Sequence, residues 1–144
     1  MTIIFSLLLV GCPENTEGGF TSLAKGNLFG AGEEGFKKEY IIISSKEEWN
    51  SFLSKIDTTN KVSDTFENTI DFSKENVIVA IDKVRNTGGF SIEIIEVVNT
   101  DEETIIKLET KGPKPTDMVV TAIIQPYHII KINKTKKKIK FLEL

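Results

Sequence analysis

The run Val77–Ile81, VIVAI, is apolar at every position. A strand with one solvated face alternates apolar and polar residues. A continuous β-branched run suits a strand covered on both faces. The segments around it read as further short strands. Tyr40–Ile43 is apolar and β-branched, Thr104–Thr110 is another strand, Met118–Ile124 has β character, and Tyr127–Ile132 continues it beyond an interrupting Pro126. Asn86-Thr87-Gly88-Gly89 is a turn signal. After it Phe90, Ile92 and Ile94 alternate with polar residues, and then Ile95 and Val97 take over the apolar parity. A strand that changes face in mid-run calls for a β-bulge near Ile94 and Ile95. Lys111–Pro115 cannot extend a central ladder, because both prolines lack the N–H donor. Asn133–Lys138 reads as a lysine-rich hairpin tip before a closing strand, Ile139–Leu144.

One segment has helical rather than strand spacing. Ser45 and Glu48 form a capping-box pair, and Trp49, Phe52, Leu53 and Ile56 follow on one face. A polar loop is expected over residues 55–68. The resulting class is α+β: a mostly antiparallel β-sheet or sandwich with one short N-terminal amphipathic helix.

The N-terminus has a different character. Residues 3–10 are apolar apart from Ser6. That is too short for a membrane-spanning helix, which needs ~20 apolar residues, but it fits the ~7–15-residue apolar region of a secretory signal. Leu9-Val10-Gly11-Cys12 resembles a bacterial lipobox. The resemblance implies cleavage before Cys12 and lipidation of its sulfur. Residues 1–11 are then a lipoprotein signal peptide. Residues 12–35, rich in glycine, are a flexible tether, and residues 36–144 are the β-rich domain. The expected location is the bacterial cell envelope, with the protein membrane-anchored on a periplasmic or surface face.

Composition narrows the chemistry. A net charge of -3 gives no reason to expect a nucleic-acid partner. One cysteine and one histidine exclude an internal disulfide, a Cys-rich zinc site and the common multi-His metal sites. The oxygen-rich stretch Asp57–Asp64 lacks the glycine and terminal glutamate of an EF-hand loop, so it reads as a solvated loop. No metal and no cofactor is expected. His128 would need a partner such as Ser91, Thr87 or Asp82 to act as a base, and no nucleophile signature surrounds these residues. It shares parity with Ile130 and Ile132, so it reads as a structural histidine on the apolar face of a strand. No catalytic residue is assigned and no enzymatic activity is expected.

Several spaced motifs carry a family resemblance. They are IDFSKENVIVAID, TGGFSIEI, GPKP and VTAIIQPYHIIKI, with IIISSKEEWNSFL upstream. Together they resemble the C-terminal domain of the protease complex subunit PrcB, over roughly residues 40–141. The resemblance implies an accessory or binding subunit of a protease assembly at a bacterial envelope, with a protease as the expected protein partner. Loops on rigid sheets commonly carry binding. The expected contact residues are Thr87, Gly88, Gly89 and Phe90 in one loop, Pro113 and Pro115 in another, and Tyr127 in the Pro-Tyr segment. A second reading competes: Asn86–Phe90, NTGGF, is similar to a loop of the chagasin-like cysteine-protease inhibitors, on an immunoglobulin-like sandwich. The proline that follows Asn in that loop is absent here.

Overall fold

The computed structural model describes residues 19–144. The signal peptide, Cys12 and the first part of the expected tether lie outside the described residues. In chain order the elements are β1 (Thr21–Leu28), β2 (Glu39–Ile43), α1 (Lys46–Ile56), a 3-10 turn (Val62–Thr65), β3 (Glu75–Ile81), β4 (Ser91–Asn99), β5 (Glu103–Lys111), β6 (Gln125–Asn133) and β7 (Lys138–Glu143). They form a four-stranded sheet, β1-β6-β3-β2, and a three-stranded sheet, β4-β5-β7.

The apolar run of β3 is covered on both faces, as its composition requires. Val77, Val79 and Ile81 join Tyr127 and Ile129 of β6 in a core that also holds Trp49, Phe52 and Ile56 of α1. Ile78 and Ala80 point the other way. With Ile130 and Ile132 they meet Ile92, Ile94, Ile106 and Leu108 of the second sheet. The four-stranded sheet is therefore the middle layer, with α1 on one side and the three-stranded sheet on the other. The bulge in β4 falls where the apolar parity changes, between Ile94 and Glu96.

The expected class needs correction. Among the described residues the fold is mostly β, two sheets of seven strands in all, with one short helix and a 3-10 turn. The helix is not N-terminal: β1 and β2 precede it. Nor is the expected tether without structure, since it contains β1, paired along β6 from Thr21↔Lys131 to Leu28↔Gln125. Nothing in TSLAKGNL reads as a strand. The open edge of β6 supplies the backbone partners, a tertiary effect that overrides weak local preference.

Three smaller expectations also change. Met118–Ile124 forms no strand, and only Ile124 makes a bridge, to Arg85. Pro126 does not interrupt the ladder. It is the second residue of β6, beyond the end of β3, where its carbonyl accepts the Asp82 N–H at 2.9 Å. Residues 133–138 are not a hairpin tip. Both sides of β6 are already occupied, by β1 and β3, so β7 crosses to the other sheet and runs parallel to β5.

Helix α1 starts as its sequence indicates. Ser45 Oγ accepts the Glu48 N–H at 3.2 Å, while Glu48 Oε2 accepts the N–H of Ser44, one residue before the cap, at 2.8 Å. The Trp49 indole N–H donates to the Asn68 carbonyl at 2.9 Å, which fastens the following loop over the helix. Replacing Ser45 by alanine leaves a helix N–H without its acceptor. Ser45→Ala is expected to lower the unfolding free energy by about 1 kcal/mol in urea titration, with the m-value unchanged.

Candidate functional site

Two loops meet at one end of the sandwich. The first leaves β3 and spans residues 82–90; the second joins β5 to β6 and spans residues 112–124. Their backbones are bonded to each other. The Arg85 N–H donates to the Ile124 carbonyl at 2.7 Å, the Ile124 N–H returns to Arg85 at 3.0 Å, and the Gly88 N–H donates to Val120 at 2.9 Å. Side chains fasten the base. The carboxylate of Asp82 is fully buried and accepts two bonds from the Arg85 guanidinium, at 2.8 and 3.2 Å. A buried carboxylate needs such a partner, and the planar guanidinium meets it with both oxygens. The same guanidinium lies 4.4 Å from the Phe90 ring centroid. The amide of Gln125, also buried, donates at 3.0 Å to the carbonyls of both Asp82 and Phe36.

Two glycines let the loops approach. Gly89 has φ of +89°, and a Cβ there would lie 3.2 Å from Pro113. At Gly112 a Cβ would lie 2.8 Å from the Phe90 ring, closer than real Cβ contacts allow. The loops thus form one fixed unit. Lys114 and Asp117 close a tight turn, with the Lys114 N–H on Asp117 Oδ2 at 2.7 Å and the Asp117 N–H on the Lys114 carbonyl at 2.9 Å. Beyond this turn the apolar residues Met118, Val119, Val120 and Ile123 are exposed, Met118 completely and Val120 at 72%.

A family model described as PrcB C-terminal matches residues 76–133. This part of the chain is similar to the PrcB C-terminal family. The matched span is narrower than the resemblance drawn from the motifs, but it runs from β3 into the end of β6 and includes both loops. No curated protein and no solved structure matches the chain.

Within this PrcB-like segment the residues read from the sequence are partly brought together. Gly88, Gly89 and Phe90 lie against the loop that carries Pro113 and Pro115, and Thr87 precedes them in the first loop. Tyr127 does not join them. It is 6% exposed and faces the helix-side core beside Ile129 and Leu28, where burial raises its phenol pKa. It is therefore corrected from a contact residue to a core residue. Residues 118–123 were missed as a surface because β-branched residues in a loop look the same in sequence as those in a strand. The charges of Lys83 and Arg85 before the turn were the one available sign that this approach is braced by an ion pair.

His128 lies in the interior, 2% exposed, between β1, β4 and β6. None of its expected partners reaches it. Nδ1 instead accepts the N–H of Ile94 at 2.9 Å, and Nε2 lies 2.9 Å from Ser22 Oγ. An Nδ1 that accepts is unprotonated, so in the neutral ring Nε2 carries the proton and donates it to Ser22. A base activating Ser22 would need the reverse arrangement. A cleft of about 440 Å³ opens beside this pair, with the Lys25–Glu93 ion pair, 3.1 Å, at its wall. Among the described residues, no group of three or more His, Cys, Asp or Glu side chains is placed to hold a metal ion.

Burial, and then the nearby Lys25, pull the His128 pKa down from 6.5 to about 4, with Glu93 opposing. The folded protein then binds fewer protons than the unfolded chain between these two values. Its contribution to stability is complete above pH 6.5 and declines as pH falls toward 4. The expected loss between pH 7 and pH 5 is roughly 2 kcal/mol. It is measured as the change in urea unfolding free energy, and it should vanish from that window in His128→Gln. An unchanged slope in the variant would contradict the assignment.

Proposed function

We propose that this protein is a non-enzymatic accessory subunit of a protease complex, anchored at the bacterial cell envelope by lipid on Cys12. The apolar strip Met118–Ile123 carries the partner contact. The match of residues 76–133 to the PrcB C-terminal family model supports association with a protease assembly. The observation that carries the binding reading is the strip itself. Exposed apolar side chains held on a braced loop form a surface that a partner can desolvate at little ordering cost, unlike a mobile loop. Gly88, bonded to the Val120 carbonyl, and Gly89, packed on Pro113, support it.

The orientation fits an anchored protein. β1 enters opposite Lys131 and ends opposite Gln125, so it begins at the end of the sandwich remote from the strip. An eight-residue strand spans roughly 25 Å. A lipid on Cys12 would attach through this entry end, opposite the strip.

The inhibitor reading is less well supported. A wedge needs its aromatic residue at the tip, whereas Phe90 is half-buried between Arg85 and Gly112. An enzymatic reading is disfavoured by the direction of the His128–Ser22 bond.

One experiment tests anchor and contact together. A photo-crosslinking amino acid is placed at Met118 in cells expressing the full chain, and captured proteins are identified by mass spectrometry. The account expects a protease or a protease-bound protein, lost when Val120→Asp is added without a change in melting temperature. It also expects the chain in the membrane fraction, released by Cys12→Ser. Capture that survives Val120→Asp would contradict the contact; membrane retention of Cys12→Ser would contradict the anchor.

A further inference from the structure

The second surface lies on a different side of the molecule and does not depend on the loop end. Strand β2 is an outer strand of the four-stranded sheet, paired only with β3. Among the described residues no other backbone group bonds to its free edge. A short strand with an open row of N–H and C=O groups is a template for another strand. Native proteins usually blunt such an edge with lysine or proline. The sequence here, EYIII, has neither.

Beside this edge runs a shallow groove of about 550 Å³ between β2 and α1. Its floor is Phe36, Ile41 and Phe52, and Ile42, 41% exposed, stands at its margin. The rim is acidic, with Glu39 on the strand and Glu47 in the first turn of the helix. The ion pairs formed among the described residues engage other carboxylates, leaving both of these without a cation. Glu48 also lines the groove but is occupied with the Ser44 N–H. The single lining cation, Lys55, is drawn over the Phe36 ring, 4.2 Å from its centroid.

From these features we infer that the β2 edge binds an extended, lysine- or arginine-bearing peptide segment of a partner protein, which adds to the sheet as a fifth strand. Each part of the surface has a role. The free backbone supplies the ladder, which is indifferent to sequence. The apolar floor takes alternate side chains of the added strand. The unpaired Glu39 and Glu47 select cationic residues and reject acidic ones.

The test uses the full chain and a capped seven-residue peptide with two valines two positions apart, flanked by lysines. Three controls accompany it: a glutamate-flanked version, a version N-methylated at alternate backbone nitrogens, and the Glu39→Lys/Glu47→Lys protein. Backbone amide NMR titration should show saturable binding of the lysine peptide, with shifts confined to β2 and α1. Each control should bind at least about tenfold more weakly. Failure of the lysine peptide to bind, equal binding of the glutamate peptide, undiminished binding of the N-methylated peptide, or shifts centred on residues 112–124 would each overturn the inference.

Discussion

His128 accepts the amide proton of Ile94 close to where β4 bulges, and this bond ties the two sheets together. At the bulge the ladder to β5 loses its even spacing. The Ile94 N–H is buried there, and a buried donor without an acceptor costs about 1–3 kcal/mol. A histidine on the central strand of the other sheet supplies that acceptor, and its opposite nitrogen reaches Ser22 on β1. One ring therefore links β1, β6 and β4. Burial, and then Lys25, depress its pKa and keep the ring neutral, and an Nδ1 that accepts from Ile94 makes it unsuitable as a base for Ser22.

The same central strand accounts for the rest of the topology. β6 has neighbours on both sides and cores on both faces. With no edge of β6 left, the chain after it changes sheets and pairs β7 parallel to β5. At its other end the buried Gln125 and the Asp82–Arg85 pair brace the two loops that present Met118–Ile123. The exposed apolar strip is thus an extension of the rigid core. It lies within the span that matches the PrcB C-terminal family model.

Periodicity made the local features legible. The two-faced burial of Val77–Ile81, the bulge after Ile94, the capped helix beginning at Lys46 and the inward-facing histidine all follow from side-chain parity over a few residues. What was not legible depends on distant partners. β1 is a strand because β6 offers it an edge, and Ser22 meets His128 across 106 positions of sequence. Tyr127 shares its motif with surface residues, yet strand parity turns it into the core. Met118–Ile123 has strand composition but no neighbouring edge to pair with, so it stays a loop and its apolar side chains face solvent. The position of the helix behind two strands was hidden for the same reason: the first of those strands has no pattern of its own.

His128 is a neutral structural link whose ring proton sits on Nε2. Long-range proton–nitrogen NMR of the ¹⁵N-labelled imidazole at neutral pH tests it directly. The account predicts an unprotonated Nδ1, a protonated Nε2, and a coupling across the hydrogen bond from the Ile94 amide. A ring protonated on Nδ1, or one that titrates near the ordinary histidine value, would contradict it.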